Sequence, residues 1–376
     1  MNRGKVLIIG GAGLIGSHTA DELDRRGYQI RILDNLSPKT HVGKWPEYLN
    51  LKFEKIKGDV RDRKILSKAL TGVDFVIHLA ALMDLLPDYS NFFDINVTPT
   101  ALIYEIIASY KLPIKKVVVA SSQFVYGEGR WTCQKHGQVF PGLRTIQMMS
   151  QGQFDPKCPY GNEKITPMLS EEFHQDPPNQ YAISKYTQEL IALKLGRLNN
   201  IPSVVMRYSI VHGPRQSLKN AYSGALRIFT LKMLANHNPP IFEDGLSRRD
   251  YISVYDVARA NALMLESDKA NYENFNVGSG KAYTVLDLAK LIRATLGKDK
   301  ISLKLSGQFR VGDIRHAVSD ISKLKKIGWR PQDSEEKIVK KYIKWVKKQK
   351  LDQDYLTLAE RQMKKLGVIR KLSAIK

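Results

Sequence analysis

The 376-residue sequence predicts an α/β fold, a doubly wound parallel sheet followed by a smaller, mixed C-terminal domain. Three observations carry this expectation. Short aliphatic runs alternate with helical patterns over the first 125 residues, the order that builds parallel sheets. A glycine cluster stands directly after the first run, where a strand must turn sharply into a helix. Beyond residue 200 that alternation gives way to a mixed pattern punctuated by Gly and Pro.

Strands are expected at 5–10, 29–34, 51–57, 75–79 and 116–120, the first four as aliphatic runs buried on both faces. Helical patterns at 14–26, 61–70 and 91–110 separate them. Residues 128–178 are rich in Gly, Pro, Gln and His and show no period. A structureless loop of ~50 residues is unusual in a compact domain, so this segment reads as an insertion with local organisation of its own. A helix at 179–198 and a strand at 203–207 follow, then Lys-rich helices at 334–350 and 354–366. The division expected is 1–200 for a dinucleotide-binding domain carrying the insertion and 201–350 mainly for substrate, with some elements returning to the first domain; 351–376 forms a basic helical tail.

The net charge is +22, and positions 331–376 contribute thirteen basic and six acidic residues to it. Such a balance suits an anionic small substrate, an anionic surface or nucleic acid, and much of it reads as a solvated lysine face. No apolar run approaches the ~18 residues of a spanning helix, so no membrane insertion is expected. The chain enters the strand-like Val6-Leu7-Ile8-Ile9 almost at once and has two cysteines, Cys133 and Cys158. No signal peptide or disulfide framework is legible, and a cytoplasmic location is expected.

Gly10-Gly11-Ala12-Gly13-Leu14-Ile15-Gly16 places its glycines where a turn must be tight, where backbone must approach a pyrophosphate, and where helix and strand pack closely. Free amides at a helix start then hold the phosphates. Asp34 ends the second strand 18 residues after Gly16. A carboxylate there accepts from ribose hydroxyls and repels a 2′-phosphate, which favours NAD over NADP. Asp59-Val60, after the third strand, suits an adenine contact.

Tyr181 and Lys185, four residues apart in a helical stretch, share one face. A neighbouring ammonium is expected to lower the tyrosine pKa so that the phenol exchanges protons near neutral pH. Ser122, at the C-terminal end of the fifth strand, stands where open α/β sheets bind their ligands. Cys133, His136 and Cys158 are three candidate metal ligands in the insertion, with Glu163 or His174 available as a fourth; no bound metal is expected.

Together these motifs resemble the extended short-chain dehydrogenase/reductases. His78-Leu79-Ala80-Ala81, Val125-Tyr126-Gly127, Arg207-Tyr208, Gly213-Pro214-Arg215-Gln216, Arg249-Asp250-Tyr251-Ile252, Phe275-Asn276-Val277-Gly278 and Gly328-Trp329-Arg330-Pro331 narrow the resemblance to NAD-dependent nucleotide-sugar epimerases and dehydratases. It implies a Rossmann-type domain, resident NAD and a homodimer through the helices at 91–110 and 179–198. It further implies that Leu14, Ile15, Asn35, Leu79, Ala80 and Ala81 line the cofactor. Met83, Ser122, Tyr208, Arg249 and Arg310 would face the substrate, the two arginines as a diphosphate clamp. Departures are visible. Gln123-Phe124 replace the acid pair of sugar 4,6-dehydratases, and Ile210 stands where many members have Asn. Tyr126-Gly127-Glu128-Gly129, Phe242-Glu243-Asp244-Gly245 and the run from Arg310 to His316 are similar to 4-epimerases of dTDP-linked 6-deoxy sugars such as dTDP-L-rhamnose. UDP-hexose 4-epimerases and 4-keto reductases are the alternatives within this family. A basic NAD-fold protein that binds RNA or an anionic surface is the alternative of another class, and the intact Ser122, Tyr181 and Lys185 argue against it.

Overall fold

The computed structural model describes residues 3–41, 43–84, 86–218, 224–350 and 354–373. Strands β1 (Lys5–Ile9), β2 (Gln29–Asp34), β3 (Glu54–Lys57), β4 (Phe75–His78) and β5 (Lys116–Ser122) are followed by the insertion's β6 (Trp131–Cys133), β7 (Gly137–Val139) and β8 (Ile165–Pro167). Then come β9 (Ser203–Tyr208), β10 (Ile210–His212), β11 (Arg248–Arg249), β12 (Tyr251–Ser253) and β13 (Glu273–Val277). The last are β14 (Tyr283–Thr284), β15 (Gln308–Arg310), β16 (His316–Ala317) and β17 (Ile369–Lys371).

The main sheet has seven parallel strands in the order β13-β9-β5-β4-β1-β2-β3. From β1 the chain builds outward through β2 and β3, then returns to β4 on the other side. That reversal opens a crevice beyond the C-terminal ends of β1 and β4, where ligands of open α/β sheets bind. All seven residues of β5, Lys-Val-Val-Val-Ala-Ser-Ser, are buried. Each large side chain so covered contributes about 1.5–3 kcal/mol relative to exposure. Helices Leu14–Arg25 and Val254–Glu266 cover one face of the sheet, and Arg63–Leu70 and Thr98–Ser109 the other. A separate core lies among Ala225–Leu234, Val285–Leu296 and Glu335–Val346.

Three expectations change. β3 is an edge strand, mostly exposed, and starts at Glu54 because Leu51 is 93% exposed and pairs with nothing in the sheet. The helical stretches at 91–110 and 179–198 each contain a widened π turn, at Phe93–Val97 and Ile191–Leu195. The C-terminal tail is a helix, Asp354–Lys365, and then a strand: β17 pairs antiparallel with β15, placing Ile369 beside Arg310. Residues 351–353 and 374–376 of that tail lie outside the described residues.

The insertion has the local order its length demanded. β6 pairs with β7 and β8, a short helix spans Ile146–Ser150, and Trp131, Cys133, Val139 and Cys158 form a small core.

Candidate active site

The nucleotide end is made largely of main chain. A Cβ at Gly16 would strike the Gly10 carbonyl oxygen, so only glycine lets the first helix sit this close to its own strand. Gly13 faces the opposite condition: its missing Cβ leaves open space, with Gly10 O the nearest atom at 3.5 Å. Gly13 caps the helix without a side-chain bond, and the first turn, which contains Leu14 and Ile15, holds no acid. The amides at that terminus therefore meet no protein anion, which fits a pyrophosphate. Asp34 Oδ2 accepts from Ala12 N at 3.0 Å and Oδ1 from Leu36 N at 2.9 Å. Each oxygen retains a lone pair for a ribose hydroxyl.

Asn35 is exposed beside Asp34. Asp59 is gripped by Arg61 through Nε at 3.0 Å and Nη2 at 2.9 Å, which holds its carboxyl below the ordinary range; Val60 is buried. Leu79 and Ala80 both donate amides to Ile9 O, at 2.9 and 3.0 Å, and fold the β4 end over the glycine loop, with Ala81 exposed next to them. These residues line the crevice at the strand ends, and they fit NAD.

Ser122 closes β5, and Tyr181 and Lys185 lie one turn apart on helix Gln180–Leu190. Asn179 caps that helix, accepting from Ala182 N at 2.9 Å, and its amide donates to Gly312 O at 3.1 Å. One side chain thus ties the helix of Tyr181 and Lys185 to the Arg310 loop. Ser122 Oγ accepts from Phe124 N at 3.2 Å, and the Tyr181 ring lies edge-on to Phe124 at 6.2 Å. The tyrosine differs from expectation. Burial pushes its phenol up to about 12, and Ser122 opposes this; Lys185 does not bring it down. Burial draws the Lys185 amine down to about 7, against the pull of Glu189. Lys185 Nζ instead donates to Gln188 Oε1 at 2.6 Å.

Gln188 continues the network by donating to Thr100 Oγ1 at 2.6 Å, and Thr100 lies 3.1 Å from His78 Nε2. Asn96 accepts from Leu82 N at 2.7 Å and donates to Ser184 Oγ at 2.9 Å. Sequence reasoning missed Asn96, Thr100 and Gln188. The one available signal was polar residues on the inner faces of otherwise apolar helices.

At the sugar end the implied residues separate. Met83 is 44% exposed on the loop after β4. Tyr208 is not in the cleft. Its side chain points to the opposite face of β9, into the core under helix Val254–Glu266, where its hydroxyl donates to Asn261 Oδ1 at 2.6 Å. Arg249 is fully engaged with its own surroundings: Asp313 at 3.1 Å and the carbonyls of Arg248, Ile314 and Arg315 at 2.9–3.0 Å. It shapes the loop and has little left for a diphosphate. Arg310 is the available cation. Its guanidinium lies 5.4 Å over the Phe242 ring, and Nε is buried without a protein acceptor.

Behind Arg310 lies a buried ionic network that sequence reasoning did not assemble. Arg144 pairs with Glu128 and Glu243, both at 2.9 Å, and reaches Asp313 O at 2.9 Å. Arg315 pairs with Glu243 at 3.0 Å and Asp244 at 2.7 Å. All four central residues are more than nine-tenths buried. The three phrases singled out around Glu128, Glu243 and Arg310–His316 meet here. Gln123, which stands where a dehydratase has an acid, is buried with both amide atoms unpartnered. Of the two fourth metal ligands considered, Glu163 joins Cys133, His136 and Cys158, whereas His174 stacks on Phe140 at 3.9 Å. A cavity of about 400 Å³ lined by His18, Tyr48, Arg215 and Tyr255 contains none of Ser122, Tyr181 or Lys185.

Comparison with known proteins agrees with this geometry. Residues 6–278 match the NAD dependent epimerase/dehydratase family. The chain is similar to dTDP-L-rhamnose 4-epimerase of Burkholderia thailandensis, 31% identical over 91% of this chain and 94% of that one. It is also similar to a putative UDP-glucose 4-epimerase of Methanocaldococcus jannaschii, 32% identical over 91% and 98%. Among solved structures, UDP-N-acetylglucosamine 4-epimerase from Methanobrevibacter ruminantium, in complex with UDP-N-acetylmuramic acid, matches with a TM-score of 0.75 and 30% identity over 93% of this chain and 100% of that chain. UDP-glucose 4-epimerase from Thermotoga maritima, with UDP-glucose, matches with a TM-score of 0.72 and 30% identity over 92% and 99%.

Proposed function

The chain belongs to the NAD dependent epimerase/dehydratase family, with NAD as its cofactor, and on that premise we propose that it is a 4-epimerase of a dTDP-linked 6-deoxyhexose, dTDP-L-rhamnose. One observation carries the reading. Ser122 ends β5, Tyr181 stands on the helix packed against that strand, and the residues after Ser122, Gln123 and Phe124, offer no acid or base for eliminating water. Epimerisation needs a single proton-transfer group at C4, and that is what the site holds.

Tyr181 takes the C4 hydroxyl proton, its ionisation favoured over that of the empty site by the positive charge that bound NAD would bring beside it, and Ser122 Oγ holds the same oxygen. Bound NAD supplies a hydride acceptor and donor for that carbon. Turning the 4-keto sugar within the cleft presents its other face, and Tyr181 returns the proton to the inverted alcohol. Lys185 would hold the nicotinamide ribose. Asp34, whose carboxylate would accept from a ribose and repel a 2′-phosphate, favours a resident NAD cycle over NADPH-dependent reduction. Arg310 receives the diphosphate. The sugar choice rests on the similarity to the Burkholderia enzyme and on the Glu128–Glu243–Arg315 network built from the subgroup's phrases.

The test offers dTDP-L-rhamnose, UDP-glucose and UDP-galactose separately, with no cofactor added. The proposal expects the highest kcat/KM for dTDP-L-rhamnose. Preference for a UDP-hexose would replace the sugar, and silence with all three would overturn the activity.

We also propose a homodimer through the paired helices around Thr98–Ser109 and Gln180–Leu190, where Phe93, Ile183 and Leu190 stay about 40% exposed. Light scattering that gives a monomer at micromolar concentration would refute it. A cytoplasmic location belongs to the same proposal and is checked by cell fractionation.

A further inference from the structure

We propose that Cys133, His136, Cys158 and Glu163 form a structural zinc site that clamps the insertion. Two tight turns face each other here. The first joins β6 to β7: Cys133 pairs with Gly137, and His136 lies between them. The second is closed by Asn162 N donating to Cys158 O and Cys158 N donating to Glu163 O, both at 2.9 Å. The four ligand atoms lie within 4.8 Å of one another. His136 Nδ1 is 3.6 Å from Cys133 Sγ, 3.3 Å from Cys158 Sγ and 3.8 Å from a Glu163 oxygen. Tetrahedral zinc with bonds of about 2.0–2.3 Å sets its ligands ~3.3–3.8 Å apart, the same spacing.

The protein groups do not satisfy one another. His136 Nδ1 has one proton or one lone pair, yet it faces two sulfurs and a carboxylate. Glu163 Oε2 is buried and has no hydrogen-bond partner, while Oε1 meets Lys135 at 3.6 Å. A cation between the four resolves both conditions. The same geometry explains Gly161. A Cβ there would collide with both oxygens of the Glu163 carboxylate, so Glu163 fills the place from which a side chain at 161 would enter the cluster.

Four protein ligands leave no open position for a reacting water, which makes the site structural. Its effect reaches the sugar end through Trp131 on β6. The Trp131 ring lies 5.3 Å from His316, and its Nε1 donates to Glu128 O at 2.7 Å, at the edge of the ionic network. Loss of the metal is therefore expected to raise KM more than it lowers kcat.

The experiment measures metal in the full-length protein purified under reducing conditions without chelator. About one zinc per chain is expected, falling to background in Cys133→Ser and Cys158→Ser. Cobalt substitution of the wild-type protein should give thiolate-to-metal charge-transfer absorption, a readout independent of turnover. Glu163→Ala should weaken zinc tenfold or more, and Gly161→Cys added to Glu163→Ala should restore it. If the cysteine variants fail to fold, chelation of the wild type decides instead: zinc release should lower its Tm and leave NAD bound. A wild-type chain without zinc and without cobalt absorption would overturn the proposal, as would non-reducing mass analysis showing a Cys133–Cys158 disulfide in its place.

Discussion

The two ends of the cleft are built on different principles. The nucleotide end uses main chain: free amides at a helix start, glycines that admit close approach, and Asp34 bracing the loop through Ala12 N and Leu36 N. The glycine loop and its bracing carboxylate lie between Gly10 and Leu36. The sugar end uses side chains drawn from four distant segments, with Glu128, Arg144, Glu243 and Arg315 satisfying one another out of solvent. A backbone-built site tolerates many sequences around a fixed local spacing. A side-chain network depends on every member, because removing one leaves its partner's charge buried and unpaired.

Substitutions can set these two principles against each other. The largest effect is expected where the ends meet. Tyr181→Phe should lower kcat by about 10²–10⁴-fold with NAD content and Tm unchanged, because only the proton-transfer group is lost. Next, Arg144→Ala should destabilise the fold by about 3–5 kcal/mol, read from denaturant unfolding, because the buried Glu128 loses its ion-pair partner. A loss below about 1 kcal/mol would show that the network is not cooperative. Asp34→Ala should cost less, about 1–3 kcal/mol, from two amides left without acceptors. It should empty the protein of NAD while the insertion keeps its structure.

A pH dependence follows as well, small near neutrality and growing as acid is added. Burial holds His78 at about 3 and His18 at about 4, against 6.5 for a free histidine. The folded protein refuses protons that the unfolded chain accepts. Stability is therefore full above pH 6.5 and falls as pH drops from there toward those values, by at most ~1.4 kcal/mol per unit for each residue. Thermal melts between pH 8 and 4.5 check this, and His78→Gln should flatten the acid limb.

The same contrast explains what could be read in advance. Gly10 to Gly16 and Asp34 were legible because their roles depend on local spacing, and Tyr181 with Lys185 because helical spacing joins them. Tyr208 was not, since a fully buried strand gives no sign of which face looks into the cleft. The pKa relation of Tyr181 and Lys185 was misjudged because spacing reveals proximity and not the depth of burial, which outweighs the charge here. Arg249 had the right type for a phosphate contact, but the acceptors that occupy it come from residues 313–315 across the fold. β17 escaped notice because its three residues pair with a strand about 60 positions earlier in the chain.

The most direct measurement of the central claim uses dTDP-L-rhamnose carrying deuterium at C4, in ordinary water, with no added cofactor, followed by NMR. The account predicts a second sugar nucleotide inverted at C4 alone, with the deuterium retained on that carbon, and formed about 10²–10⁴-fold more slowly by Tyr181→Phe. Deuterium lost to solvent, inversion at another carbon, or turnover by Tyr181→Phe at the wild-type rate would contradict it.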